Sequence, residues 1–135
     1  MIAAADTSVV VAAFASWHEH HRLARRALDR GPRLIEHCAL ETYSVLTRLP
    51  APHRASAIVA LAFLRTRFAR PYLRISPRSY RVFITGLADR GVTGATAYDA
   101  LVAATAVDAG AELVTCDRRA LPIYERYGVR TRVLQ

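Results

Sequence analysis

The chain has 135 residues, is 53% hydrophobic and carries a formal charge of +8, so it is long enough to bury its own core and basic enough to favour a polyanionic partner. Its first apolar run lacks a basic leader and is broken by Asp6, which argues against a signal peptide or a membrane span and makes the cytoplasm the expected location. Two cysteines, Cys38 and Cys116, are too few and too distant in sequence for a disulfide framework or a zinc knuckle.

All nineteen basic residues are arginine. The charge therefore comes as planar forks suited to bidentate phosphate contacts, although coding bias gives the same composition. No linker, repeat or low-complexity tract interrupts residues 1–135, which are expected to form one domain.

In chain order, Met1 to Ala5 reads as a strand buried on both faces, and Asp6-Thr7-Ser8 breaks it before a helix from Val9 to Ser16. A second helix, His20 to Arg30, places Leu23, Ala24, Ala27 and Leu28 on one face and ends at Gly31-Pro32. His18, His20 and His21 open it at spacings that do not aim two rings at one point, so they read as solvated rather than as metal ligands. Arg33 to His37 is the second strand, followed by a helix from Leu40 to Leu49 that carries Glu41 in its opening turn. Arg54 to Phe68 is a helix whose middle, Ala57 to Leu64, is apolar all round, as if part of it were covered by a partner.

Tyr72 to Ile75 is ambiguous between strand and loop, and Ser76-Pro77 starts a helix to Arg90. Thr96 caps a helix to Val107, with Gly110 as its stop, and Asp99 in its first turn has the position of a capping-box acid. Leu113 to Thr115 is a strand ending at Cys116-Asp117, followed by a helix from Arg118 to Tyr127 and an edge strand from Val129 to Leu134. Strands alternating with helices favour a parallel sheet wrapped on both sides. Each acid singly has a bland explanation: a turn for Asp6, the helix dipole for Glu41, a cap for Asp99. Yet Asp6 and Asp117 follow strands while Glu41 and Asp99 open helices, and in such folds these positions converge on one rim.

The segments Asp6-Thr7-Ser8, Glu41-Thr42-Tyr43-Ser44-Val45-Leu46-Thr47-Arg48-Leu49, Tyr98-Asp99-Ala100-Leu101-Val102-Ala103-Ala104-Thr105-Ala106 and Thr115-Cys116-Asp117-Arg118-Arg119-Ala120-Leu121 occur in the order and spacing of PIN-domain proteins. The chain resembles that family over essentially its whole length, and most closely the VapC toxins of VapBC toxin–antitoxin modules. The resemblance implies a three-layer α/β/α fold with a parallel sheet of order 3-2-1-4-5, and an acidic site made by Asp6, Glu41, Asp99 and Asp117. With that order, Cys38 and Cys116 are expected about two strand spacings apart, roughly 9 to 10 Å, too far for a disulfide.

Clustered carboxylates repel, and a divalent ion quenches the repulsion; all-oxygen ligands select Mg²⁺ or Mn²⁺. The chemistry this favours is metal-dependent phosphodiester hydrolysis, with Asp6, Asp99 and Asp117 holding the ion and Glu41 binding it or orienting water, and the resemblance implies RNA as the substrate. Thr7 and Thr115 are expected to assist through hydroxyl or backbone contacts, and Arg118 and Arg119 are candidates for phosphate contacts. The resemblance further implies a homodimer and a VapB-like antitoxin, for which the Ala57–Leu64 and Leu23/Leu28 surfaces are nominated. A phosphoacceptor receiver domain also gathers acids at strand ends, but it needs a lysine and the chain has none. The remaining alternatives are a PIN-type nuclease of RNA maturation and a non-catalytic RNA- or protein-binding module of the same fold.

Overall fold

The computed structural model describes all 135 residues. Ile2–Ala5 (β1) lies between Arg33–Leu34 (β2) and Ala111–Thr115 (β3), with Thr131–Val133 (β4) outside β3. All pairings are parallel, and Ala5 stands opposite both Leu34 and Val114. Neighbouring residues of a strand face opposite sides of a sheet. Ala4 and Ala5 have no exposed surface, and neither do Leu113, Val114 and Thr115, so both faces of the centre are covered and the arrangement is α/β/α.

The covering helices are Thr7–Phe14 (α1), His21–Asp29 (α2), Glu36–Thr47 (α3), Ala57–Arg67 (α4), Pro77–Gly86 (α5), Thr96–Asp108 (α6) and Leu121–Arg126 (α7). α1 packs on α2 and α3, while α6 packs on β3, α5 and α7. No helix is long and apolar enough to cross a membrane.

The third strand of the expected order survives only as a single parallel bridge from Ile35 to Leu73. There the Leu73 N–H donates to the Leu34 carbonyl at 2.8 Å and the Glu36 N–H to the Leu73 carbonyl at 2.9 Å. β2 offers no longer ladder because α3 begins at Glu36, and Pro71 and Pro77 bound the partner stretch.

That early start also moves His37 and Cys38 from a strand end into a helix and places Glu41 in the second turn rather than the first. α1 starts two residues earlier than the periodicity suggests, because Asp6 itself is the N-cap. Thr96 makes no capping bond, so the capping box with Asp99 is not formed. α4 begins at Ala57 behind the Ser56 cap, and α5 stops at Gly86 rather than Arg90. The helix expected from Arg118 opens as a 3₁₀ turn, Arg118–Ala120, before α7.

β3 is the strand on which the rim depends, since Asp117 follows it and β1 pairs with it. Its Leu113 is fully buried between Ala4 and Thr131. Leu113→Ala is expected to remove about 3 kcal/mol of stability through lost burial and the cavity left behind. Urea unfolding checks this as a lower midpoint at unchanged slope; a loss under about 1 kcal/mol would mean that the site collapses freely around alanine.

Candidate active site

Asp6 ends β1 and is only 3% exposed. Its Oδ1 accepts from the Ser8 hydroxyl at 2.5 Å and from the Val9 N–H at 3.3 Å, and its Oδ2 accepts from the Tyr124 hydroxyl at 2.9 Å. All three donors are neutral. Burial pushes the Asp6 carboxyl above its ordinary value of 3.8, against the pull of these hydrogen bonds. The Ser8 hydroxyl in turn accepts from the Cys116 N–H at 2.8 Å, tying the turn after β1 to the end of β3.

Asp117 follows β3 and caps the 3₁₀ turn, accepting from the Arg119 N–H at 3.0 Å, while its own N–H donates to the Thr115 hydroxyl at 2.9 Å. Asp99 stands in the first turn of α6, as expected. One guanidinium joins the two acids: Arg119 reaches Asp99 at 3.3 Å and Asp117 at 3.0 Å. Burial raises the Asp99 pKa, Arg119 lowers it, and the neighbouring Asp117 and Glu41 raise it. Glu41 accepts from the Thr7 hydroxyl at 2.5 Å. The Thr7 hydroxyl therefore contacts the Glu41 carboxylate, while the Thr115 hydroxyl holds the backbone N–H of Asp117.

Asp6, Glu41, Asp99 and Asp117 line one open cleft of about 380 Å³ at the end of the strands. Carboxylate oxygens with hydroxyl support suit a hard divalent ion. In this arrangement no three acidic, imidazole or thiol groups converge closely enough to hold an ion, and the cation in contact with the acids is Arg119. The thiols are not alternative ligands here. Both are free, burial raises Cys38, and burial together with Asp6 and Asp117 pushes Cys116 up to about 12.

The histidine cluster differs from expectation. His18 and His20 are half-buried and line the cleft rather than lying in solvent, whereas the His21 Nδ1 bonds the Ala12 carbonyl at 2.8 Å. Tyr124 had no sequence signal, being 118 residues from Asp6 and placed there only by the packing of α7. Ser8 was visible only as part of the Asp6-Thr7-Ser8 turn.

An α/β sheet with four acids from separate elements at one rim defines a carboxylate-lined pocket of the kind that handles hard cations and phosphates. Residues 3–126 match the PIN-domain model, and the chain belongs to the PIN-domain family, in its VapC group. It is 51% identical over 131 residues to Ribonuclease VapC40 of Mycobacterium tuberculosis, covering 97% of this chain and 98% of that protein. Ribonuclease VapC27 of the same organism is 41% identical over 127 residues, covering 93% and 92% of the two chains. Among solved structures, VapBC2 from Rickettsia felis, bound to a DNA fragment from their promoter, matches the fold with a TM-score of 0.67 at 17% identity over 100% of both chains.

Proposed function

We propose that this chain is the endoribonuclease toxin of a type II toxin–antitoxin module, acting in the cytoplasm as a single PIN domain over residues 1–135. The observation that carries the reading is the gathering of Asp6, Glu41, Asp99 and Asp117 on one cleft. Two full-length relatives named ribonucleases support it.

In this reading Asp6, Asp99 and Asp117 hold Mg²⁺ or Mn²⁺, and Glu41 joins them or orients the attacking water. The bound ion supplies the positive charge that lowers the pKa of water and shields the phosphate from the carboxylates. Ser8 and Tyr124 fix both oxygens of Asp6, and Thr7 fixes Glu41. Arg119 occupies Asp99 and Asp117 in the present arrangement; releasing them frees both the ligands and a guanidinium for the RNA phosphate.

The partners are RNA, a VapB-like antitoxin and a second copy of the chain. α4 remains a candidate interface, with Ile58 81%, Val59 50% and Leu61 44% exposed. The Leu23/Leu28 surface does not qualify, because Leu28 is buried in the main core and Leu23 is half-buried.

Incubation of purified protein with RNA and Mg²⁺ is expected to give cuts with 5′-phosphate and 3′-hydroxyl ends, read by ligation and sequencing. RNA that is bound but never cut with any divalent ion would replace this reading with the non-catalytic module.

A further inference from the structure

His18, Glu19 and His20 share the cleft with the four acids. They lie in the turn between α1 and α2, and a row of rings leads away from it. The His18 and His20 centroids are 5.7 Å apart, Trp17 stands 6.4 Å from His18, and His53 lies 4.7 Å from Trp17 with its plane tilted by 44°. Its His18 end is held by hydrogen bonds: the His20 N–H donates to the His18 Nδ1 at 3.0 Å, and the His18 N–H donates to the Ala15 carbonyl at 2.9 Å.

Trp17 is the only tryptophan of the chain and is 53% exposed, outside both clusters of the core. Folding alone favours burying an indole, because large apolar side chains gain most from leaving water. Its ring instead stands about half exposed, with its centroid 6.4 Å from that of the cleft-lining His18.

An RNA strand whose phosphate reaches the acids and which leaves the cleft past the His18–His20 turn brings its adjoining nucleotides to this row. Unpaired bases stack on aromatic and imidazole planes, and stacking tolerates any base because each has a π-face. Burial and the neighbouring His20 lower the His18 pKa, which favours its neutral ring at neutral pH. Glu19, the acid of the turn, is 82% exposed and lies 3.5 Å from His20, so its charge faces solvent.

We propose that Trp17, flanked by His18 and His53, is a stacking platform for an unpaired nucleobase next to the scissile phosphate. This rests on the ribonuclease reading above and adds a subsite to it: the preferred substrate is single-stranded at that nucleotide. A base-paired nucleotide has its face covered by its neighbours in the helix and is a poor ligand for the platform.

The single tryptophan makes a direct test available without turnover. Wild-type protein in EDTA is titrated with a short unpaired oligoribonucleotide, while indole emission and the anisotropy of a labelled copy of the RNA are followed. The expected result is strong quenching that tracks the anisotropy, with affinity about tenfold weaker in Trp17→Ala and changed by less than about threefold in Trp17→Phe. The same sequence as a duplex is expected to leave the emission nearly unchanged. Anisotropy showing binding with unaltered emission and full affinity in Trp17→Ala would overturn the platform and leave the ribonuclease reading standing. No binding of any RNA by anisotropy would overturn both.

Discussion

Asp6→Asn is expected to abolish RNA cleavage and, in the absence of divalent ions, to raise the melting temperature. The two effects share one cause. Asp6 is buried with no cation among its hydrogen-bond partners, and burial raises its pKa in the folded protein above 3.8. Between the ordinary carboxylate value and the raised one, the folded state therefore binds more protons than the unfolded state. Stability falls as pH rises through that window, and the whole penalty is present once pH exceeds the raised value.

Asparagine carries no such penalty. Its oxygen can still accept from Ser8 and Val9, and its amide can face the oxygen of Tyr124. Each kcal/mol recovered is expected to raise the melting temperature by about 3 °C. Cleavage is expected to fall at least about a thousandfold, because metal-ion catalysis is worth several kcal/mol and each 1.4 kcal/mol is tenfold.

Adding Mg²⁺ should stabilise the wild type, by mass action, and hardly affect Asp6→Asn. Asp99→Asn is the comparison: the same loss of cleavage, with a smaller change in stability, because its side chain is 21% exposed and already paired with Arg119. A thermal melt in EDTA and a cleavage assay decide the matter together. An Asp6→Asn protein that still cuts RNA removes Asp6 from the site, and one that melts lower in EDTA shows that its carboxylate is not a net burden.

The rim was legible because its address follows from periodicity. Asp6 and Asp117 come directly after short apolar strands, and Asp99 stands at the start of an Ala-rich helix closed by Gly110. Periodicity places Glu41 on a helix, but the structure puts it in the second turn rather than the first. Ile35 continues the apolar run of Leu34, and as N-cap it offers no side-chain capping bond to announce the helix. Tyr72 to Ile75 is ambiguous in sequence between strand and loop, and it forms only the Leu73 bridge because its neighbour β2 is two residues long.

What pattern cannot supply is contact between distant side chains. The Tyr124 bond to Asp6, the Ser8 link to Cys116 and the row from His18 to His53 all depend on how turns meet in space. The histidines illustrate the difference. Their spacing argues against aiming at one metal and says nothing about the cleft beside them or about Trp17, whose exposure depends on the turn after α1.

Chelation of divalent ions is expected to reduce cleavage at least about a thousandfold while leaving fold and RNA affinity in place. RNA affinity persists because arginine–phosphate attraction needs no divalent ion, and it should weaken steeply with added salt. The fold persists because Arg119 spans Asp99 and Asp117 and keeps those two carboxylates from repelling each other apart. That bridge is modest, since the Arg119 side chain is 73% exposed and solvent screens it; Arg119→Gln in EDTA should lose less than about 1 kcal/mol.

The same substitution removes the competitor for the ligands, so Mn²⁺ should bind it more tightly than the wild type, as read by calorimetry or electron paramagnetic resonance. Acid acts in the opposite sense. Burial raises Asp99, with Asp117 and Glu41 adding to the effect, so proton competition for the ion begins at a higher pH than for an ordinary carboxylate. Metal affinity should accordingly decline as pH falls toward the carboxylate range, and cleavage with it. Unimpaired cleavage in excess EDTA would contradict the metal assignment outright. Equal Mn²⁺ affinity in Arg119→Gln and wild type would instead mean that the guanidinium never competes, and that the Asp99–Arg119–Asp117 bridge persists alongside the bound ion.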